Sequence, residues 1–118
     1  MINWSSEVKE SNYIGATNYL NLIYPFDIVP TLILKLNVQL LREFEAKDIF
    51  RASGFNLLPN DNFHVKVTTS HIINEVEISP ILLIKDKGKL IIADGYHRLC
   101  AIYHYNEDSF IQCQIVEV

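Results

Sequence analysis

Leu90-Ile91-Ile92-Ala93-Asp94-Gly95-Tyr96-His97-Arg98-Leu99-Cys100-Ala101-Ile102-Tyr103 is the stretch whose reading decides the fold. Its first four residues are apolar and rich in β-branched side chains, which suits a short buried strand. Asp94 and Gly95 break that strand. From Leu99 the apolar positions Leu99, Ile102 and Tyr103 recur at helical spacing, so the segment reads strand, tight turn, helix, with Asp94 or Gly95 near the N-cap. His97 and Arg98 then sit at a helix N-terminus, where backbone N–H groups lack partners and the helix dipole is positive. A guanidinium beside such a terminus suits phosphate or carboxylate oxygens, so the turn is an anion-site candidate.

The flanking sequence gives the turn its context. Ser79-Pro80-Ile81-Leu82-Leu83-Ile84 precedes it, Asp86-Lys87-Gly88-Lys89 reads as a hairpin turn, and Ile111-Gln112-Cys113-Gln114-Ile115-Val116 reads as a closing strand. This order resembles the superfamily that joins sulfiredoxins to ParB-type partition proteins. Ile49-Phe50-Arg51 looks like the sulfiredoxin strand that ends in arginine, and Lys66-Val67 like the start of that family's next helix. The run from Ala46 to Gly54, together with Ala93 to Arg98, is also similar to small, largely uncharacterised bacterial proteins of the superfamily.

The resemblance implies an α/β fold: a small sheet flanked by helices over residues 40–118, preceded by a helical N-terminal extension over 1–39. In sulfiredoxins the Gly-Cys-His-Arg turn grips nucleotide phosphates and supplies the reactive cysteine, and ParB-type relatives hold a triphosphate there. Here Tyr96 occupies the cysteine's position, and Cys100 lies a helical turn further on. By resemblance, Gly95, Tyr96, His97 and Arg98 bind ATP or another nucleotide with Mg, aided by Arg51, Lys66 and Thr69.

Composition sets bounds on these expectations. A chain of 118 residues, nearly half of them apolar, forms one domain that can bury roughly two thirds of its unfolded surface. The net charge of −4 argues against broad attraction to nucleic acid or anionic membrane. Length also argues against a helix-turn-helix module with a dimerisation segment, so ParB-like DNA binding or nuclease action ranks below nucleotide binding. The stretch from Met1 to Glu10 lacks the apolar core of a signal peptide, and no run approaches the ~20 apolar residues of a membrane span. A soluble, cytoplasmic protein with Cys100 and Cys113 as buried thiols is the expectation.

Taken in order, residues 1 to 11 read as a loose lead-in. Tyr13 to Tyr24 reads as a helix with Ala16, Tyr19, Leu20 and Ile23 on one face, ended by Pro25. Asp27 can cap a second helix with Pro30 in its first turn and Ile28, Leu32, Ile33 and Leu36 as its apolar stripe. These two helices either cover one sheet face or offer a surface for a protein partner. Leu40 to Ala46 reads as the first strand. Lys47 to Ser53 looks like one or two helical turns stopped by Gly54, although the resemblance prefers extended structure up to Arg51. Phe63 to Glu75 is rich in β-branched residues, which favours strand, whereas the resemblance favours a helix capped by Asp61 or Asn62; we take the helix.

Catalytic candidates are Asp48, Asp94 and His97. If the first strand neighbours the one before Asp94, Asp48 could serve there as metal ligand or base and Arg51 as a phosphate ligand; otherwise the two form an exposed ion pair. Asp94 either caps the helix or orients a substrate hydroxyl or metal. Tyr96 suits a wall or stacking role against a base or ribose. Arg98, set against the dipole, needs an anionic partner, either a ligand or a carboxylate of the protein. The histidine pairs His64/His71 and His97/His104 are each seven residues apart with no completing Cys or carboxylate, so no intrinsic metal site is expected. The combined expectation is a nucleotide- or phosphate-ligand-binding protein, with phosphoryl or nucleotidyl transfer or hydrolysis as the natural chemistry. Its main rival is a non-catalytic interaction module on the same fold.

Overall fold

The computed structural model describes residues 1–118. Its centre is β2 (Ile81–Asp86), whose residues Ile81 to Ile84 are fully buried. A strand buried on both faces needs a partner layer on each side, and the period of two sends alternate side chains to opposite faces. β2 pairs antiparallel with β3 (Lys89–Asp94) and parallel with β4 (Phe110–Glu117), and β4 pairs antiparallel with β1 (Arg42–Glu45), giving the order β1-β4-β2-β3. Lys87 and Gly88, with φ of 50° and 81°, turn the β2–β3 hairpin as a type I′ turn requires.

Five helices supply the two layers. α1 (Glu10–Leu20) and α2 (Val29–Asn37) lie on one face, where Ala16, Leu20, Leu32 and Leu36 pack with Leu82, Ile84, Ile91 and Ala93. α3 (Ala46–Ser53), α4 (Phe63–Ile73) and α5 (Tyr96–Tyr105) lie on the other, where Ile49, Val65, Leu99 and Ile102 pack with Ile81, Leu83, Leu90 and Ile92. Each large aliphatic side chain buried in this way contributes about 1.5–3 kcal/mol relative to exposure. The N-terminal helices are thus one of the two layers that make the sheet stable. The chain is a mixed α/β protein, as expected, and no helix is long and apolar enough to cross a membrane.

Local rules account for most element ends. α3 stops at Gly54, whose φ of 68° is the left-handed C-cap conformation. α4 forms in spite of its β-branched content because the Asn62 side chain accepts hydrogen bonds from the His64 and Val65 N–H groups at 3.0 and 3.2 Å, and Val65, Thr68 and Ile72 turn inward together. Burial of that stripe outweighs the modest intrinsic penalty on Val and Thr.

Several expectations are corrected. α1 ends at Leu20, and Ile23 beyond it is 44% exposed. α2 is entered through Ile28, with no side-chain cap from Asp27, and Val29 takes the buried position expected of Ile28. The segment before Arg51 is helical, so the extended alternative fails. β1 lies at the opposite edge of the sheet from β3, because β4 and β2 come between them. The lead-in is held rather than loose: Ser5 N–H donates to Ile78 O at 2.8 Å, Ile78 N–H to Asn3 O at 2.7 Å, and Ile2 and Trp4 pack on the core.

Candidate functional site

Asp94 ends β3, Gly95 turns the chain, and α5 begins at Tyr96. Gly95 has φ of 104°, and a Cβ there would lie 2.8 Å from Arg98 Nη2 and 2.9 Å from Ile81 Cγ1. Both the left-handed backbone and the lack of space require glycine. No side chain caps α5, so its first N–H groups have no side-chain acceptor.

Arg98 points into the protein. Its Nη1 donates to Ser79 O at 2.7 Å and Pro80 O at 3.3 Å, and its Nη2 to Asp94 Oδ2 at 2.7 Å. The two side chains are only 16% and 22% exposed, so the pair is largely desolvated. Burial raises the Asp94 carboxyl above its ordinary range, opposed by Arg98 and by a hydrogen bond with Asn12; burial likewise lowers Arg98, opposed by Asp94. Asn12 Oδ1 also accepts from the Ser79 hydroxyl. One network therefore ties the start of α1, the residues leading into β2, the end of β3 and the first turn of α5. Gly15 belongs to it, because a Cβ there would stand 2.7 Å from Asp94 Oδ1. The anionic partner that Arg98 needs is Asp94, one helical turn away.

Above this network lies a polar cleft of about 410 Å³ lined by Lys9, Thr68, His71, Glu77, Ser79 and the residues from Asp94 to Arg98. The exposed side of the turn is His97, whose ring centroid is 4.8 Å from that of His64 on α4. Desolvation and then the neighbouring His64 lower the His97 pKa below its ordinary 6.5, so the imidazole is neutral at pH 7 and can donate or accept one hydrogen bond. Tyr96 leans away toward Phe55, at 5.6 Å between ring centroids, and its hydroxyl donates to Asn56 O. Tyr19, Phe55, Tyr96 and His97 line a second, smaller cleft of about 280 Å³ on the other side of the turn. Tyr96 therefore stands between the two clefts and lines both.

The other candidates lie elsewhere. Arg51 is exposed on α3 and bonded to Asp48 Oδ1 at 2.6 Å, so the ion-pair reading applies and neither residue lines the cleft. Lys66 and Thr69 line a separate depression with His104 and Tyr105, because the turn of α4 that faces the cleft carries Thr68 and His71. Cys100 and Cys113 are free and buried; burial raises the Cys100 thiol and pushes Cys113 up to about 12, which leaves neither as a thiolate nucleophile. No group of three or more His, Cys, Asp or Glu side chains is placed to hold a metal.

Sequence reasoning missed Lys9, Asn12, His71 and Glu77. They come from the lead-in, α1, the end of α4 and the loop before β2, and no local pattern joins them. Comparison with family models, curated proteins and solved structures finds no match to this chain.

Proposed function

We propose that the protein binds a phosphorylated small molecule, a nucleotide in the first instance, in the cleft over the α5 N-terminus. The observation that carries this reading is an uncapped helix N-terminus opening into a polar cleft beside Lys9, His71 and His97. The order of elements around Asp94 to Arg98, which resembles the sulfiredoxin and ParB-type superfamily, supports it further. Arg98 acts here as a positioning residue: by holding Ser79, Pro80 and Asp94 it fixes the turn whose N–H groups meet the phosphate. The donors present suit a phosphate. For a magnesium ion accompanying a nucleotide, Glu77 is the one cleft carboxylate not engaged in an ion pair, since Asp94 is bonded to Arg98. Neutral His97 is the cleft's general-base candidate if binding leads on to phosphoryl or nucleotidyl transfer.

Calorimetric titration with ADP, ATP and pyrophosphate, with and without magnesium, tests this reading. Saturable binding by the wild type, weakened about tenfold in both Lys9→Ala and His97→Ala, is the expected result. These two exposed side chains lie outside the Arg98 network, so folding is retained. Absence of binding by the folded wild type overturns the reading.

A second reading rests on a different observation. Arg98 is paired internally, and Leu22, Phe26, Leu34, Val38 and Leu40 on and around the first two helices are 67–86% exposed. An interaction module docking through that apolar surface accounts for both facts. The open cleft beside an uncapped helix favours the first reading.

A further inference from the structure

α3 crosses the sheet without covering its hairpin end. Between the helix and that end runs a trough of about 440 Å³. Its wall is Asp48, Ile49 and Ala52 of α3, and its apolar floor is Phe44, Leu83, Leu90 and Ile115, contributed by all four strands. The registers Arg42↔Cys113 and Phe44↔Ile111, together with Lys85↔Leu90, place Arg42, Phe44 and Lys85 on the same sheet face as Leu83 and Leu90. Phe44 and Ile115 are only half-buried, so the floor is open to a ligand.

The charges on the rim are unequal. Arg42, Lys85 and Lys89 border the trough, and none of them enters an ion pair or donates a side-chain hydrogen bond. Arg42 lies over the Phe44 ring at 5.3 Å, which holds its guanidinium against the floor. Of the two acids on the rim, Asp48 is neutralised by Arg51, leaving Glu117 against three cations. An apolar floor with a few convergent cations selects a ligand with an apolar body and one anionic head.

We propose that this trough is a second binding site, separate from the cleft over α5, and that it takes a small carboxylate with an aryl or branched apolar body. The body lies on the half-buried Phe44 and Ile115, above the buried Leu83. The carboxylate meets Arg42 and Lys85, with the guanidinium geometry suited to a two-point contact. The uncompensated cations at an otherwise acidic protein's surface distinguish this trough from the exposed apolar residues of α1 and α2, which carry no such charge pattern.

The test is a ¹H–¹⁵N correlation titration of the full chain with 4-phenylbutyrate and, in parallel, its uncharged amide. Saturable shifts at Leu83, Leu90 and Ile115, with the amide binding about fivefold more weakly, are expected. Lys85→Glu weakens the carboxylate by a similar factor without affecting the amide. Ala52→Trp, at an exposed position on α3, fills the trough and abolishes the shifts while the remainder of the spectrum is retained. Four outcomes each overturn the proposal: no saturable shift, equal binding of acid and amide, shifts centred on Leu22, Phe26 and Leu34, or concentration-dependent shifts at the trough in ligand-free protein, which assign it to a second copy of the chain. Pyrophosphate leaves these resonances unmoved, so failure here is distinguishable from failure of the cleft over α5.

Discussion

Two acid–arginine pairs of the same chemistry sit in contrasting surroundings. Asp94 and Arg98, four residues apart, are largely desolvated and reach three further groups: Ser79, Pro80 and Asn12. Asp48 and Arg51, three residues apart, have only each other as side-chain hydrogen-bond and ion-pair partners, with side chains 49% and 81% exposed. The N···O distances are nearly equal, 2.7 and 2.6 Å. Distance therefore says little about what either pair does. What differs is the number of elements each one joins and how much water it has lost.

The largest expected effect is at Arg98. Arg98→Ala removes three hydrogen bonds and strands a largely buried carboxylate, which costs about 3–5 kcal/mol of folding stability. Urea denaturation measures this, and a loss below about 1 kcal/mol would show that Asp94 finds water instead. Loss of ligand binding in that variant is uninformative about direct contact, because the turn itself goes with it.

A smaller effect sharpens the comparison through pH. The Asp94 carboxyl is raised above its ordinary 3.8, chiefly by burial. The folded protein then holds a proton that the unfolded chain has already released. Stability from this group is therefore fully present below pH 3.8 and falls as pH rises from there through the folded-state pKa. Asp94→Asn should flatten the stability profile just above pH 3.8 relative to wild type. An unchanged slope would mean that Arg98 and Asn12 fully offset the desolvation.

The smallest effect belongs to the exposed pair. Arg51→Ala should change stability by about 1 kcal/mol or less, and high salt should shrink that further. The same denaturation experiment checks it. A loss approaching that of Arg98→Ala would erase the distinction drawn between the two pairs.

Much of this protein is legible from local rules. Strand, turn and helix from Leu90 to Tyr103 follow from a β-branched run, a glycine and a change of period. The stop at Gly54, the hairpin at Lys87 and Gly88, and the two cysteines as buried thiols follow in the same way. Each of these depends on a few neighbouring residues, so the chain carries the information within one window. Phe63 to Ile73 marks the boundary of that legibility: propensity favoured a strand, and a cap plus one buried stripe made it a helix.

Strand order, by contrast, was decided only in three dimensions. Placing β4 and β2 between β1 and β3 removed Asp48 and Arg51 from the turn, and no local pattern encodes which strand becomes an edge. The same holds for Arg98. Its residue type and position announced the need for an anion, but burial and the approach of Asp94, Ser79 and Pro80 supplied the partner from within. Sequence by itself determined the turn from Asp94 to Arg98 and most of the elements around it, because each is set by a few neighbouring residues. The tertiary structure alone decided which residues face a cleft, because desolvation and pairing depend on segments that meet only when the core closes.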